Sequence, residues 1–234
     1  MAAPDLGFFG QQFMIWVLIL IPGYGIAAYF RVRAKKPLPA KQIRYRRAIA
    51  GQVVLLLVIA LAAWEQRVPL IAGPFPGPTS WLLAAGFLTI MGFRLRQAWP
   101  KLTPERLERA RILLPEHPSN MRMWVVISAM AGITEECAYR GLAMKFLTAN
   151  HGSYWLALTL CVVAFAIAHA VQGWRGILAT AVIAILLHAV VYATQSLYLA
   201  IVVHSAYDLM VGIIAMPFLR EFAARQEMAT AAGQ

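Results

Sequence analysis

Long apolar segments recur along this chain, and they constrain its fold more than any other feature of the sequence. Each is about as long as a helix needs to cross a bilayer, roughly 18 to 22 residues. The segments fall at about 9–30, 48–64, 81–97, 122–149, 154–171, 176–192 and 197–218. Of the 234 residues, 61% are hydrophobic and 13% are charged, whereas about a quarter are charged in soluble domains. The sequence therefore predicts an all-α, polytopic membrane helix bundle of about seven transmembrane helices, within a range of about six to eight.

These segments leave no room for a separate soluble module, so residues 1–234 are predicted to form a single integral membrane domain. The formal net charge of +11 raises the alternative of nucleic-acid binding. We exclude that function because the basic residues cluster between the apolar segments, where orientation in a membrane explains them. The predicted surroundings are therefore a lipid bilayer and no nucleic acid.

The basic residues also predict how the chain is oriented. Segment 31–47 is rich in lysine and arginine and contains no acidic residue. An N-terminus outside places this segment, segment 94–122, Arg175 and the C-terminal tail on the cytoplasmic side of a multi-pass plasma (inner) membrane protein. Cys137 and Cys161 both lie inside apolar segments, so we expect no disulfide.

A short helix is predicted within segment 100–118. Thr103-Pro104-Glu105 is typical of a helix start, with an N-cap residue followed by proline at the first helical position. Leucines among arginines then give the helix an apolar and a basic side. Two placements fit this pattern: on the membrane surface, or as a solvated cytoplasmic helix.

Two adjacent glutamates and an arginine lie inside the fourth apolar segment. Ionisable groups at membrane depth are costly and usually face a protein interior or a wet cavity, so they indicate a functional site. On a helix, Glu136 and Arg140 share a face and suit an ion pair, while Glu135 lies about 100° round the axis. Glu135 is thus left free to act as a general base on water.

Two further apolar segments contain titratable residues at helical spacing. His169 follows Phe165 by about one turn, and we expect it to hold the same water as Glu135 while Phe165 packs the site. His204 and Asp208 share a face at four-residue spacing, and donors there would stabilise a developing oxyanion. We therefore expect Glu135, His169 and His204 to converge from three helices on one buried site.

Each of these residues also has a purely structural interpretation. A single intramembrane histidine is often a hydrogen-bonded packing residue, and His188 is interpreted so because no polar partner lies one turn away. Glu136 with Arg140 alone would be read as an ion pair that joins helices. The functional interpretation is favoured because the acidic residues within the apparent spans, Glu135, Glu136 and Asp208, coincide with histidines on separate helices.

In these motifs the sequence resembles the CAAX-protease and bacteriocin-processing family (CPBP, also called Abi) of intramembrane endopeptidases, which includes the type II CAAX prenyl endopeptidases. The family signature is Glu-Glu-x-x-x-Arg, then Phe-x-x-x-His, then His-x-x-x-Asn or Asp, on successive membrane helices. Within 134–208 this chain has the same elements in the same order: Glu135-Glu136-x-x-x-Arg140, Phe165-x-x-x-His169 and His204-x-x-x-Asp208. The resemblance implies an endopeptidase that hydrolyses a peptide bond of a membrane-associated peptide or protein.

The resemblance also implies a role for each matched residue. Glu135 would activate water together with His169, and His204 and Asp208 would line the oxyanion side. The prenyl endopeptidases commonly have Asn at the last position, so Asp208 is either protonated here or orients His204, and we favour orientation. The supporting residues are Glu136, Arg140 and Phe165.

Metal dependence is an alternative for the same site. Glu135, His169 and His204 offer donors of the types that bind zinc. The chain contains no His-Glu-x-x-His motif, and the carboxylate of Glu136 is better used on Arg140. We therefore predict a metal-free, glutamate-dependent mechanism with no cofactor, and zinc is the alternative.

Two other function classes fit a polar membrane bundle. A non-catalytic scaffold, or a bacteriocin self-immunity protein with the same fold, would bind a membrane partner and cleave nothing. A proton-coupled transporter would also use buried carboxylates and histidines, but it predicts a repeat between the two halves of the chain. No such repeat is visible in the sequence, so the transporter is disfavoured.

Overall fold

The computed structural model describes residues 6–232, which are helical over most of their length and include no strand. The α-helices in chain order are α1 Gly7–Ile15, α2 Ile21–Arg33, α3 Lys41–Glu65, α4 Pro78–Ala98, α5 Pro104–Leu113, α6 Pro118–Glu135, α7 Met144–His151, α8 Tyr154–Ala168, α9 Trp174–Thr194 and α10 Leu197–Ala232. Two π-helical segments, Trp16–Leu20 and Glu136–Ala143, continue α1 into α2 and α6 into α7. The predicted all-α membrane helix bundle is confirmed, and the ends of the predicted domain, 1–5 and 233–234, lie outside the described residues.

Six of the seven predicted spans lie within one continuous helical stretch each, and in the fifth, 154–171, helix α8 ends at Ala168. By length and composition, the helices able to cross a membrane are Gly7–Arg33, Lys41–Glu65, Trp174–Thr194 and Leu197–Ala229. Helix α8 is apolar but shorter. These helices make the chain a membrane protein, while the number of seven spans stays a prediction.

Helix α3 begins well before the predicted start of its apolar segment at residue 48. It takes in Lys41 and Arg44 because their side chains bind the end of α5. Lys41 Nζ donates to the carbonyl of Leu114 over 3.0 Å, and Arg44 donates to that of Ile112 over 3.0 Å. Cations favour the carbonyl end of a helix. Part of the basic segment therefore joins two helices, in addition to lying at the membrane surface.

Helix α2 contacts α8 closely through Gly25. A Cβ atom at this position would lie 2.6 Å from the carbonyl oxygen of Ile167 and nearer still to that of Ala168. Only glycine leaves room for this approach. The contact fixes the end of α8, which stops at Ala168, so His169 lies at a turn instead of inside a helix running to residue 171.

The centre of the bundle is the packing of α6 against α10. Gly132 faces α10, and a Cβ there would collide with the hydroxyl of Ser205 and lie 2.8 Å from the carbonyl oxygen of Ile201. Further along the same contact, Trp124 Nε1 donates to the carbonyl of Asp208 over 3.0 Å. These contacts bring the polar motifs of the fourth and seventh predicted spans side by side.

Helix α5 buries its apolar side against protein. Leu107 and Ala110 pack on a cluster formed by Trp99, Ala215 and Leu219, which belongs mainly to α10. The placement of this helix, on the membrane surface or as a solvated cytoplasmic helix, stays a prediction. The sequence pattern gave its amphipathic character but not the partner of its apolar face.

Candidate active site

The glutamate motif lies where α6 changes into a π-helix. Glu135 is the last residue of α6, and the π-helical segment Glu136–Ala143 follows at once. A π-helix closes i→i+5 hydrogen bonds, and such segments are frequent at functional sites. Arg140 Nη1 lies 3.1 Å from Glu136 Oε1, and both side chains are fully buried. The ion pair predicted from the four-residue spacing is therefore present.

The imidazole of His204 reaches the same carboxylate from α10. Its Nδ1 is 2.7 Å from Glu136 Oε1, which is a short hydrogen bond between buried groups. Its Nε2 lies 3.8 Å from Glu135 Oε2 and 3.7 Å from Asp208 Oδ2. Glu136 thus binds both Arg140 and His204. The hydrogen bond that fixes the imidazole is made to Glu136, and Asp208 lies beyond hydrogen-bond distance, so its part in orienting His204 stays a prediction.

Glu135 is held from a helix that the motifs did not include. Its side chain is 16% exposed, and Gln52 Nε2 on α3 donates to its Oε1 over 3.1 Å. The side-chain amide oxygen of Gln52, Oε1, in turn accepts a hydrogen bond from the Thr134 hydroxyl. Sequence reasoning missed Gln52, although a glutamine inside the apolar segment 48–64 was a visible signal.

Phe165 contacts most of the site. Its ring centre lies 4.7 Å from that of His169 and 6.2 Å from that of His204. The guanidinium of Arg140 lies over the ring at 4.5 Å, and Tyr139 packs edge-on at 5.1 Å. One aromatic ring therefore joins the two predicted histidines and the buried ion pair, and it excludes water from their inner side.

His169 is fixed in one tautomer by its own helix. Its Nδ1 lies 2.8 Å from the carbonyl oxygen of Phe165. A carbonyl only accepts hydrogen bonds, so Nδ1 carries the proton and Nε2 of the neutral ring carries a lone pair. His169 is half-buried, and Asp208 lies within electrostatic range of it and of Glu135. The structure links His169 to the other residues through Phe165 and Asp208.

His188 also lies beside the ion pair, on α9. It is buried at 3% exposure, and it is within electrostatic range of Glu136 and Arg140. Arg140 donates to the carbonyl of Ala184, one turn earlier on the same helix, over 3.3 Å. The absence of a partner on its own helix led us to interpret His188 as packing alone, whereas its polar neighbours come from another helix.

In the described part of the chain, no three His, Cys, Asp or Glu side chains are arranged to hold a metal ion. The alternative zinc ligands are Glu135, His169 and His204. Nδ1 of His204 is bound to Glu136 and Nδ1 of His169 to a backbone carbonyl, which leaves Nε2 of both rings open. The metal-free mechanism, with zinc as its alternative, stays a prediction, and no step of the proposed chemistry runs through a metal.

One family model matches this region of the chain. Residues 117–210 match the family described as Rce1-like, type II CAAX prenyl endopeptidase Rce1-like. The comparisons with curated proteins and with solved structures each gave no match. The matched segment is less than half of the chain, but it includes every motif residue from Glu135 to Asp208. The resemblance drawn from the motifs is confirmed over this segment, and at the level of the family it supports a CAAX-type intramembrane protease.

Proposed function

We propose, from the match of residues 117–210 to the Rce1-like CAAX endopeptidases, that this protein is an intramembrane endopeptidase. It hydrolyses a peptide bond of a membrane-associated peptide or protein with water activated by Glu135 and His169. The observation that carries the proposal is the position of Glu135 Oε2, which lies 3.8 Å from His204 Nε2 inside a largely buried cluster. That separation is too long for a direct hydrogen bond and lets both groups address one reacting centre.

The base side of the reaction uses Glu135 and His169. Glu135 takes a proton from water, and the oxygen of that water forms a bond to the carbonyl carbon of the substrate. His169 presents the lone pair of Nε2 and accepts a hydrogen bond from the same water. Protonated Glu135 then gives its proton to the leaving nitrogen as the carbon–nitrogen bond breaks. Water and peptide are converted to a carboxylic acid and an amine.

The oxyanion side uses His204. Its Nδ1 donates to Glu136, so Nε2 can donate to the developing oxyanion only when the ring is protonated at both nitrogens. Three carboxylates, those of Glu135, Glu136 and Asp208, surround the ring within 4 Å, and they favour its charged form. A preorganised donor of this kind contributes most in a site from which water is excluded.

From the match to the CAAX prenyl endopeptidases, we propose that the substrate is a peptide ending in a CAAX sequence. Two quenched fluorescent peptides separate the parts of that proposal: one with a farnesylated cysteine, and one identical but without the lipid. Cleavage of the first alone supports recognition of the prenyl chain, and cleavage of both supports recognition of the peptide. Cleavage of neither redirects the search to other membrane substrates.

The catalytic role of Glu135 is tested by Glu135→Gln, which keeps the shape of the side chain and removes the base. We expect the rate to fall by about 10²–10⁴-fold, the usual contribution of a general base. Glu105→Gln, which changes an exposed carboxylate on α5, is the matched control and should retain full activity. Cleavage of the peptides is measured on purified protein in detergent.

Membrane proteomics extends this test to natural substrates. Membranes with wild-type protein are compared with membranes carrying Glu135→Gln, and we expect a peptide that appears only with the wild type. Equal cleavage by both proteins would remove Glu135 from the mechanism. If neither protein cleaves the peptides and the membranes are identical, the non-catalytic scaffold or immunity protein replaces the endopeptidase.

We also propose that the protein lies in the plasma (inner) membrane with segment 31–47 on the cytoplasmic side, because that segment is strongly basic. Its native cysteines, Cys137 and Cys161, are buried, so single cysteines placed at Lys36 and Gly77, where a Cβ meets nothing within 4 Å, report on the two sides. In intact cells, a membrane-impermeant maleimide should label the cysteine at 77 and spare that at 36. The reverse pattern would invert the orientation.

A further inference from the structure

Gln52 makes a polar contact to Glu135 from outside the family match. It is half-buried on α3, in an otherwise apolar segment, and its Nε2 lies 3.1 Å from Glu135 Oε1. Its other amide atom, Oε1, contacts the hydroxyl of Thr134, the residue that precedes Glu135. Gln52 therefore binds two consecutive residues at the end of α6.

The orientation of the Gln52 amide follows from its partners. An ionised carboxylate only accepts hydrogen bonds, so the amide nitrogen faces Glu135 and the amide oxygen faces Thr134. The Thr134 hydroxyl also lies 2.8 Å from the carbonyl oxygen of Met130. Its single hydrogen is directed to one of two acceptors, and either direction leaves Gln52 Nε2 as the donor to Glu135.

We propose that Gln52 is a positioning residue that divides the work of the two oxygens of Glu135, an inference that rests on the endopeptidase function proposed above. The amide occupies Oε1. The second oxygen, Oε2, is left facing His204 Nε2 at 3.8 Å and is the atom that takes the proton from water. Without Gln52, the carboxylate is free to rotate about its terminal bond, and the two oxygens become equivalent.

The environment of Gln52 argues against a purely structural role. An amide in an apolar helix is costly to bury unless it is hydrogen-bonded, and hydrogen bonds between membrane helices add only about 0.6 kcal/mol on average. Leucine at this position would serve packing as well. The amide therefore contributes little to holding α3 against α6, and its value lies in fixing the direction of the Glu135 carboxylate.

Gln52→Leu tests the proposal, because it keeps the size of the side chain and removes the donor. We expect kcat for the cleaved peptide to fall by about 10–100-fold, as for other small misplacements of a catalytic group, with KM within about twofold. Gln52→Glu, which places a second carboxylate against Glu135, should lower kcat further. The thermal unfolding temperature of Gln52→Leu should match that of the wild type, whereas a structural role predicts a lower temperature.

Gln12→Leu is the matched control. Gln12 is a half-buried glutamine on α1, close to Gly10, whose N–H binds Glu65 at the other end of α3. Glu65 lies about 20 Å along the helix axis from Gln52. The kcat and KM of Gln12→Leu should equal those of the wild type. A kcat for Gln52→Leu equal to that of this control would overturn the positioning role while leaving the role of Glu135 intact.

A readout that does not need activity completes the test. A hydrophobic carbodiimide modifies membrane-embedded carboxyl groups, and mass spectrometry gives the rate of modification at Glu135 relative to Asp208. Gln52→Leu should raise that ratio several-fold, because the hydrogen bond that occupies Oε1 is gone, and Gln12→Leu should not change it. If the wild type cleaves neither peptide and its membranes match those carrying Glu135→Gln, the endopeptidase proposal fails on its own, and an unchanged ratio is what would overturn the contact of Gln52 with Glu135.

Discussion

Two carboxylate networks in this molecule use the same kinds of residue in different ways. At the end of α5, Glu116 binds Lys41 through Oε1 and Arg111 through Oε2, each over 2.8 Å. In the buried site, Arg140 and His204 both bind Oε1 of Glu136, and Oε2 is buried with no hydrogen-bond partner among residues 6–232. The first network is saturated, whereas the second keeps an unused acceptor in a place where that is costly.

The surroundings of the two networks differ in the same sense. Close to Glu116, Lys41 and Arg44 also donate to carbonyls at the end of α5. Tyr45 adds a hydrogen bond to the carbonyl of Leu113 over 2.8 Å. Around Glu136, two more carboxylates lie near His204 without a hydrogen bond to it. The saturated carboxylate joins helices, whereas the partly unpaired one lies in the proposed active site. This difference, more than burial alone, distinguishes that site.

The largest effect is expected when the buried network loses its cation. Arg140→Leu removes the guanidinium from the buried carboxylate of Glu136 and leaves His204 as its remaining partner, so we expect a loss of about 3–5 kcal/mol of stability. The corresponding change in the network around Glu116, Arg111→Leu, should cost less than about 1 kcal/mol of stability. Thermal unfolding of the purified variants in detergent gives both values.

A double variant shows whether the buried charge is the cause. Glu136→Gln combined with Arg140→Leu removes both charges, and it should recover part of the stability lost by Arg140→Leu alone. A double variant less stable than the single one would mean that the shape of Arg140 over Phe165, at 4.5 Å, matters more than its charge.

A smaller effect is expected from moving the two halves of the buried network apart. Gly132→Ala places a methyl group against Ser205 and Ile201 on α10, and such overpacking costs about 1–3 kcal/mol. It lengthens the 2.7 Å contact between His204 and Glu136, so activity should fall more than stability. The network around Glu116 does not include this contact between α6 and α10.

Gly86→Ala is the control for that change, because a Cβ at Gly86 meets nothing within 4 Å. It should leave both stability and cleavage of the peptides unchanged. Equal activity of the two alanine variants would show that the spacing of α6 and α10 does not govern the site.

The fold class and the buried ion pair were predictable, because both follow from local spacing. Hydrophobic length gives the helices, and four-residue spacing places Glu136 and Arg140 on one face. The spatial relation of Glu135, His169 and His204 could not be read from local spacing. His204 Nε2 lies 3.8 Å from Glu135 Oε2, and Phe165 packs against both histidine rings. The end of α8 at Ala168 and the π-helix after α6 shape this region, and neither feature leaves a clear pattern in a single sequence.

Contacts between helices account for what the sequence left out. Gln52 and His188 were single polar residues in apolar segments, and nothing on their own helices revealed a partner. The hydrogen bond between His204 and Glu136 was missed for the same reason, because it joins α10 to the segment that follows α6. Local spacing predicts pairs, but the three-dimensional packing decides which pairs form.

The smallest effect is expected from titrating the saturated network. Burial alone raises the pKa of Glu116, but hydrogen bonds from Lys41 and Arg111 outweigh it and hold the pKa below the usual 4.5. A lowered pKa in the folded state adds stability above the unfolded value, and this stability is lost as the pH falls through the folded value. Screening by solvent limits it to about 1 kcal/mol or less.

Comparing Glu116→Gln with the wild type at several pH values measures this contribution. At pH 7 the variant should unfold at a slightly lower temperature, and the difference should shrink toward zero below about pH 4 because the wild-type carboxylate then becomes neutral as well. Glu227→Gln, at an exposed position on α10, should show no difference at either pH. A difference that grew on acidification would mean that the two cations do not stabilise the Glu116 carboxylate. Glu116 could then no longer serve as the saturated carboxylate with which Glu136 is compared.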